Sequence, residues 1–262
     1  MKKAIYQSFI ELSGNRVHSS LLKTFTKSKM SKLINKSFVK MYNINEHEME
    51  KPLDEYGSLQ ELFVRNLKEG ARKIDEDTTS VVSPVDGILA SVGEIRQNST
   101  FHVKNQDYSL DEMLGDKKTA EKYKQGTYII LYLSPSHYHR IHTPLSGTIV
   151  GRWALGSKSY PVNELGLKLG KRPLSRNYRL ITEVRLANEK HYALVKVGAL
   201  NVNSIHPTSS NKEVKKGEEM AYFSFGSTVV LLFEKDLLTL ESAVTAPMDV
   251  KFGMKIGTIK ID

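Results

Sequence analysis

Three short clusters hold the residues best suited to chemistry. The first is Ser83-Pro84-Val85-Asp86-Gly87. An Asp between Pro and Gly is commonly a turn residue; in a catalytic setting it is a carboxylate held rigidly enough to orient a histidine. The second is His137-Tyr138-His139-Arg140-Ile141-His142, which gathers three of the chain's eight histidines into six residues. On an extended backbone His137 and His139 share a face and His142 lies opposite, whereas on a helix His139 and His142 are neighbours. Imidazoles in such a run serve as acid, base, metal ligand or plain structural groups, and no carboxylate pattern accompanies them to argue for a metal. The third is Phe225-Gly226-Ser227-Thr228 at the entry to the apolar run Val229–Phe233. It is not the Gly-x-Ser-x-Gly elbow of esterases, since Phe225 and Val229 occupy the outer positions. Taken alone it reads as an ordinary strand start. Together the clusters supply an Asp, a His and a Ser. Their chain order is one of several that triads adopt, so order does not identify a mechanism. The residues support serine-type chemistry and go no further.

A rigid scaffold must bring such distant clusters together. From about residue 80 the pattern predicts strands at Ile88–Val92, Thr127–Leu133, Thr148–Ala154, Arg179–Leu186, Tyr192–Val197 and Thr228–Phe233, punctuated by glycines. The polar stretch Asp107–Gln125 is compatible with a helical insertion. Before residue 70 the pattern is helical. Ile5, Phe9 and Leu12 form one apolar stripe, and Leu33, Ile34, Phe38 and Met41 form another with Lys32, Lys36 and Lys40 interleaved. Ser58-Leu59-Gln60-Glu61 resembles a capping box opening a helix through Leu62, Phe63, Arg65 and Leu67, with Gly70 as its stop. The expected class is α+β: a mainly antiparallel β body with a helical, basic N-terminal region.

Charge is unevenly spread. Residues 1–45 carry nine Lys or Arg and one acid, so this arm holds +8 of the chain's +9. Apolar stripes flanked by lysines suit the interface of an anionic bilayer, where each basic residue contributes about 1 kcal/mol. The plainer alternative is that the helices pack on the body with lysines facing water. Nucleic acid is not expected, because no recognised nucleic-acid motif is present. No apolar run approaches the ~18 residues of a membrane span, and the start Met1–Ile10 lacks the apolar stretch and cleavage site of a secretory signal. The chain has no cysteine, which excludes disulfides, thiolate nucleophiles and iron–sulfur or zinc–cysteine sites. No dinucleotide or phosphate-loop fingerprint is present.

The series Tyr56–Arg65, Ser83–Gly87, Tyr138–His142, Leu174-Ser175-Arg176-Asn177, Val197-Gly198-Ala199, Lys216–Met220 and Phe225–Thr228 resembles the phosphatidylserine decarboxylase family. Each motif is weak alone; their order and spacing over nearly the whole chain are specific. The resemblance implies a proenzyme that cuts itself between Gly226 and Ser227. In it His142, oriented by Asp86, acts as base on the Ser227 hydroxyl, which attacks the carbonyl of Gly226. Elimination and loss of ammonia then convert Ser227 to a covalent pyruvoyl group. That group forms a Schiff base with the amine of phosphatidylserine, carbon dioxide leaves, and phosphatidylethanolamine is released; His139 is implied in this decarboxylation step.

The implied pieces are 1–70, helical and membrane-associating; 71–226, the rest of the large chain; and 227–262, the small chain, in the same fold unit as 71–226. The implied cofactor is the pyruvoyl group, with neither a metal nor pyridoxal phosphate. The implied partners are an anionic phospholipid membrane, the lipid substrate and the paired large and small chains, which in this family often dimerise further. The implied location is peripheral, on the cytoplasmic side of the cell membrane. Tyr178, Ala221 and Asn201-Val202-Asn203 depart from the family pattern, which puts pocket detail and processing rate in question. Two other readings stay open on residues alone. A serine hydrolase would keep Ser227 in an intact chain, and a binding module would tolerate Ala at Asp86, His142 and Ser227.

Overall fold

The computed structural model describes residues 23–103, 106–160, 172–199, 204–224 and 227–260, together with 162 and 167. Its centre is an eight-stranded antiparallel sheet. From edge to edge it runs Glu213–Val214, Gly147–Leu155, Arg179–Arg185, His191–Gly198, Ser227–Phe233, Thr127–Leu133, Gly87–Glu94 and Met248–Val250. All six expected strands are present, each within two residues of its expected bounds. The α+β class is as expected, with short helices at Asn35–Tyr42, Leu59–Phe63, Leu110–Leu114 and Lys117–Lys122.

The strand that begins at Ser227 shows why this sequence makes a sheet covered on both sides. Every residue of Ser227–Phe233 is buried, and side chains alternate between faces. Val229, Leu231 and Phe233 enter one core with Leu89, Leu131 and Leu194. Val230 and Leu232 enter a second core with Ile130, Val195 and Tyr108. Continuous apolar runs, rather than alternation with polar residues, are what a strand buried on both faces requires.

A third, smaller core joins Phe38, Val39, Met49, Tyr56, Leu62 and Phe63. Here two expectations change. The stripe of Leu33, Ile34, Phe38 and Met41 is split, because Lys29–Ile34 is 3₁₀ rather than α. Its tighter period turns Leu33 outward, 85% exposed, while Phe38 packs inside. The helix expected through Leu67 stops at Phe63. Leu67 instead bridges Met49 in an extended pair, and Arg65 turns into the body. The cap itself is present: Ser58 Oγ accepts from Glu61 N at 3.2 Å and Glu61 Oε2 accepts from Gly57 N at 2.8 Å. In the stretch 107–125 helix begins only at Leu110, since Gln106–Ser109 pairs with Thr100–Val103 as a hairpin. The stripe Ile5, Phe9 and Leu12 lies outside the described residues.

Lys196, opposite Val229 in the central sheet, is wholly buried. Among the described residues its Nζ reaches only the Thr182 hydroxyl at 2.8 Å and the Leu194 carbonyl at 3.4 Å. Burial, reinforced by Arg152, pushes its pKa down to about 7. Below the unfolded value of 10.5 the unfolded chain therefore takes up a proton that the folded chain declines. Stability falls as pH drops through this window and levels off below about 7. We expect Lys196→Met to raise stability at pH 7 by about 2–3 kcal/mol and to flatten this slope. Denaturant unfolding of a single-chain form at several pH values checks it; parallel curves for the two proteins would refute it.

Candidate active site

Ser227 opens the central strand and has no exposed surface. Its Oγ lies 3.4 Å from Nδ1 of His139. The opposite nitrogen, Nε2, is 3.0 Å from the Ser134 carbonyl. A carbonyl oxygen only accepts, so Nε2 carries the proton and Nδ1 presents its lone pair to the Ser227 hydroxyl. The ring is fully buried and stacks on Phe63 at 3.9 Å.

His139 sits in a tightly tied turn. Within it the Ser134 and Ser136 hydroxyls meet at 2.6 Å, and His137 Nδ1 accepts from Ser134 N at 2.9 Å. The pKa of His139 is held well below the ordinary histidine value, first by burial and then by the charge of Arg65 and by His137, with the Ser134 contact working the other way.

His142 lies on the short strand Arg140–His142, paired to Glu219–Phe223. Its Nδ1 donates to the Gly217 carbonyl at 2.9 Å, and its Nε2 accepts from the Tyr138 hydroxyl at 3.2 Å. Gly217 suits this place because its φ is +82° and a Cβ there would stand 2.5 Å from Ile74. The His142 ring lies flat on Phe252 at 3.7 Å. Burial lowers the pKa of His142, while Gly217, Glu219 and Asp86 favour its charged form and Arg140 opposes it.

The expected Asp86–His142 and His142–Ser227 contacts are absent among the described residues. Asp86 instead receives Arg72 through Nε at 2.9 Å and through Nη2, and accepts from Phe252 N at 2.8 Å. Arg72 Nη2 also meets Glu48 at 2.7 Å. Burial works against the Arg72 charge, but the two carboxylates outweigh it and raise its pKa. Asp86 therefore acts on His142 in two ways: through its charge, and by fixing the backbone of Phe252, whose ring supports the imidazole. The reason is local. Asp86 turns toward the guanidinium at Arg72, which matches a carboxylate bidentately, while both nitrogens of His142 are already engaged. Gly226 lies outside the described residues, as do Asn201–Asn203. Of the other departures from the family pattern, Ala221 is fully buried beside Ile141, and Tyr178 packs partly buried against the core under Ser227.

Sequence reasoning missed Arg65 as a site residue. It is 5% exposed and donates through Nη2 to the Ser136 carbonyl at 2.9 Å and the His137 carbonyl at 3.2 Å. The signal available was only that a charged residue falls among the apolar positions of its motif. Arg72 and Phe252 were likewise unmarked. Among the described residues no group of three or more His, Asp or Glu is arranged to hold a metal.

Comparison with known proteins places the chain that carries this buried serine and imidazole. The family model for phosphatidylserine decarboxylase matches residues 59–258. A phosphatidylserine decarboxylase proenzyme of Geobacillus sp. (strain WCH70) is 56% identical over 260 residues, covering 99% of this chain and all of that one. One from Anoxybacillus flavithermus is 57% identical over 257 residues, covering 98% and 97%. One from Halalkalibacterium halodurans is 54% identical over 258 residues, covering 98% and 99%. The chain belongs to the phosphatidylserine decarboxylase family.

Proposed function

We propose that this chain cuts itself between Gly226 and Ser227 and then decarboxylates phosphatidylserine to phosphatidylethanolamine. The observation that carries the reading is the buried Ser227 hydroxyl, aimed at an imidazole at the mouth of the central strand. In the cleavage an imidazole takes the hydroxyl proton and the oxygen attacks the Gly226 carbonyl, so the amide becomes an ester. Elimination releases the 1–226 carboxylate and leaves dehydroalanine, which adds water and loses ammonia to give the pyruvoyl group.

We assign the base to His142. Burial disfavours charge on both rings, but on His142 Glu219 and Asp86 work against it, whereas on His139 Arg65 and His137 add to it. To act, His142 must exchange the Tyr138 hydroxyl for that of Ser227. The residues around Ser227 fit a pyruvoyl group: the position is buried, and the imidazole in contact is neutral. Once formed, that carbonyl would bind the lipid's amine and withdraw electrons from the α-carbon as carbon dioxide leaves. His139, beside the same position, would take the proton of the substrate ammonium and return a proton to the α-carbon.

Delivery of the substrate is the role we give the N-terminal region. Met30 is 71% and Leu33 85% exposed, with Phe25 partly so, among exposed Lys27, Lys29, Lys32, Lys36 and Lys40. Apolar side chains within a basic surface suit the anionic face of a bilayer and support a peripheral place on the cytoplasmic side of the cell membrane.

Intact mass under denaturing conditions tests the central reading. Two pieces are expected, the smaller being the 36 residues 227–262, lacking a free amine and reacting with a carbonyl reagent. A single uncut chain after incubation with anionic vesicles would overturn it.

A further inference from the structure

Arg65 is a buried cation with no carboxylate at ion-pair distance among the described residues. Its guanidinium instead faces the carbonyls of Leu62, Ser136 and His137, and its Nε has no partner among them. Burial lowers its pKa to about 10, so it stays charged at neutral pH. Holding a charge inside a protein without a direct ion pair is costly even where Tyr56, Asp86 and Glu48 favour it from a distance, and such a cost usually marks a functional requirement.

The location of Arg65 supplies that requirement. The two carbonyls it grips belong to the turn that ends in His139, and Phe63, two residues earlier, covers the His139 ring at 3.9 Å. One short segment therefore fixes the turn, the ring plane and the local field.

We propose that Arg65 is a positioning residue for the reaction at Ser227: it locks the Ser134–His139 turn so that His139 Nδ1 faces residue 227, and its charge bars a resting imidazolium there. This rests on the proposed use of His139. The tautomer matters because only a ring protonated on Nε2 and bare on Nδ1 can receive a proton from a group at position 227. The neutral state matters because a resting imidazolium would have no lone pair to offer. The groups that bear on the ring are Arg65, His137 and the Ser134 carbonyl, with Phe63 on its face and Ser227 at its edge. Arg65 and His137 both disfavour charge and no carboxylate among the described residues offsets them, so removing Arg65 takes away the largest opposing charge.

Two variants separate the charge from the hydrogen bonds. Arg65→Gln keeps an amide donor for the turn but no charge, and Arg65→Lys keeps the charge. In uncut Ser227→Ala chains with isotope-labelled histidine, NMR titration follows His139, whose signal is identified by its loss in His139→Gln. With Arg65 intact, and equally in Arg65→Lys, Nε2 should carry the only proton of the ring across pH 5–8. Arg65→Gln should raise the midpoint by about one pH unit or more. In processed enzyme Arg65→Gln should lower kcat about tenfold or more, with Arg65→Lys recovering part of it. A folded Arg65→Gln chain whose His139 titrates as before would overturn the proposal. If the unmutated protein made no phosphatidylethanolamine, the proposed function would fall instead, while the titration would still decide what Arg65 does.

Discussion

Ser227→Ala is expected to yield one uncut chain with no decarboxylation above background. Alanine removes the nucleophile and also the oxygen that the elimination step expels, so neither water nor a neighbouring side chain can supply a substitute route to a carbonyl at this position. The fold should survive. Ser227 is fully buried at the strand entry and, among the described residues, its hydroxyl makes one long contact, 3.4 Å to His139, so its loss costs about 1 kcal/mol or less. Intact mass and product analysis on vesicles containing phosphatidylserine check both halves. An uncut Ala chain that still formed phosphatidylethanolamine would remove the pyruvoyl group from the account.

Separating the two histidines should give the second large effect. His142→Ala is expected to remain uncut. His139→Ala is expected to cut and then to turn over about 10³-fold more slowly, within the range usual for a lost acid–base group. This division follows the roles that the family resemblance implies for the two rings. His139 touches Ser227, and burial with Arg65 and His137 disfavours a resting charge on it, which leaves its ring neutral for the later proton of the substrate ammonium. His142 makes no contact with Ser227 among the described residues, and although burial and Arg140 disfavour its charge, Gly217, Glu219 and Asp86 favour it. Because burial lowers the His142 pKa, wild-type cleavage should slow only below the ordinary histidine range. The reverse outcome, an uncut His139→Ala chain beside a processed His142→Ala chain, would assign the base to the ring in contact.

The long strands were legible because their β-branched and apolar residues are set off by glycine or polar breaks. The short ones were not: Arg140–His142, Glu219–Phe223 and Lys255–Ile259 are too brief to display a period, and tertiary pairing makes them. The burial of Lys196 is not visible in its strand for a related reason. A lysine between Val195 and Val197 reads as a solvent-facing position, but the sheet is covered on both sides. Within the site, the clusters at Asp86, His139, His142 and Ser227 stood out by residue type. Their partners did not. Arg72 meets Asp86 across 14 residues and Phe252 meets it across 166, and nothing local in either segment announces such a contact.

The strand at Ser227 lies between two others, registered residue for residue with Thr127–Leu133 on one side and Tyr192–Gly198 on the other. The segments that follow it are threaded into other parts of the molecule, with Met248–Val250 at a sheet edge and Lys255–Ile259 in the middle of a separate three-stranded sheet. A break before Ser227 would therefore leave an inlaid piece that dilution could not release, since no exit exists that does not dismantle the centre. Once unfolded, the two pieces would have to find each other again as separate molecules. If the proposed cleavage occurs, this topology favours folding before cutting, and a cut copy that came apart would have to reassemble from two molecules.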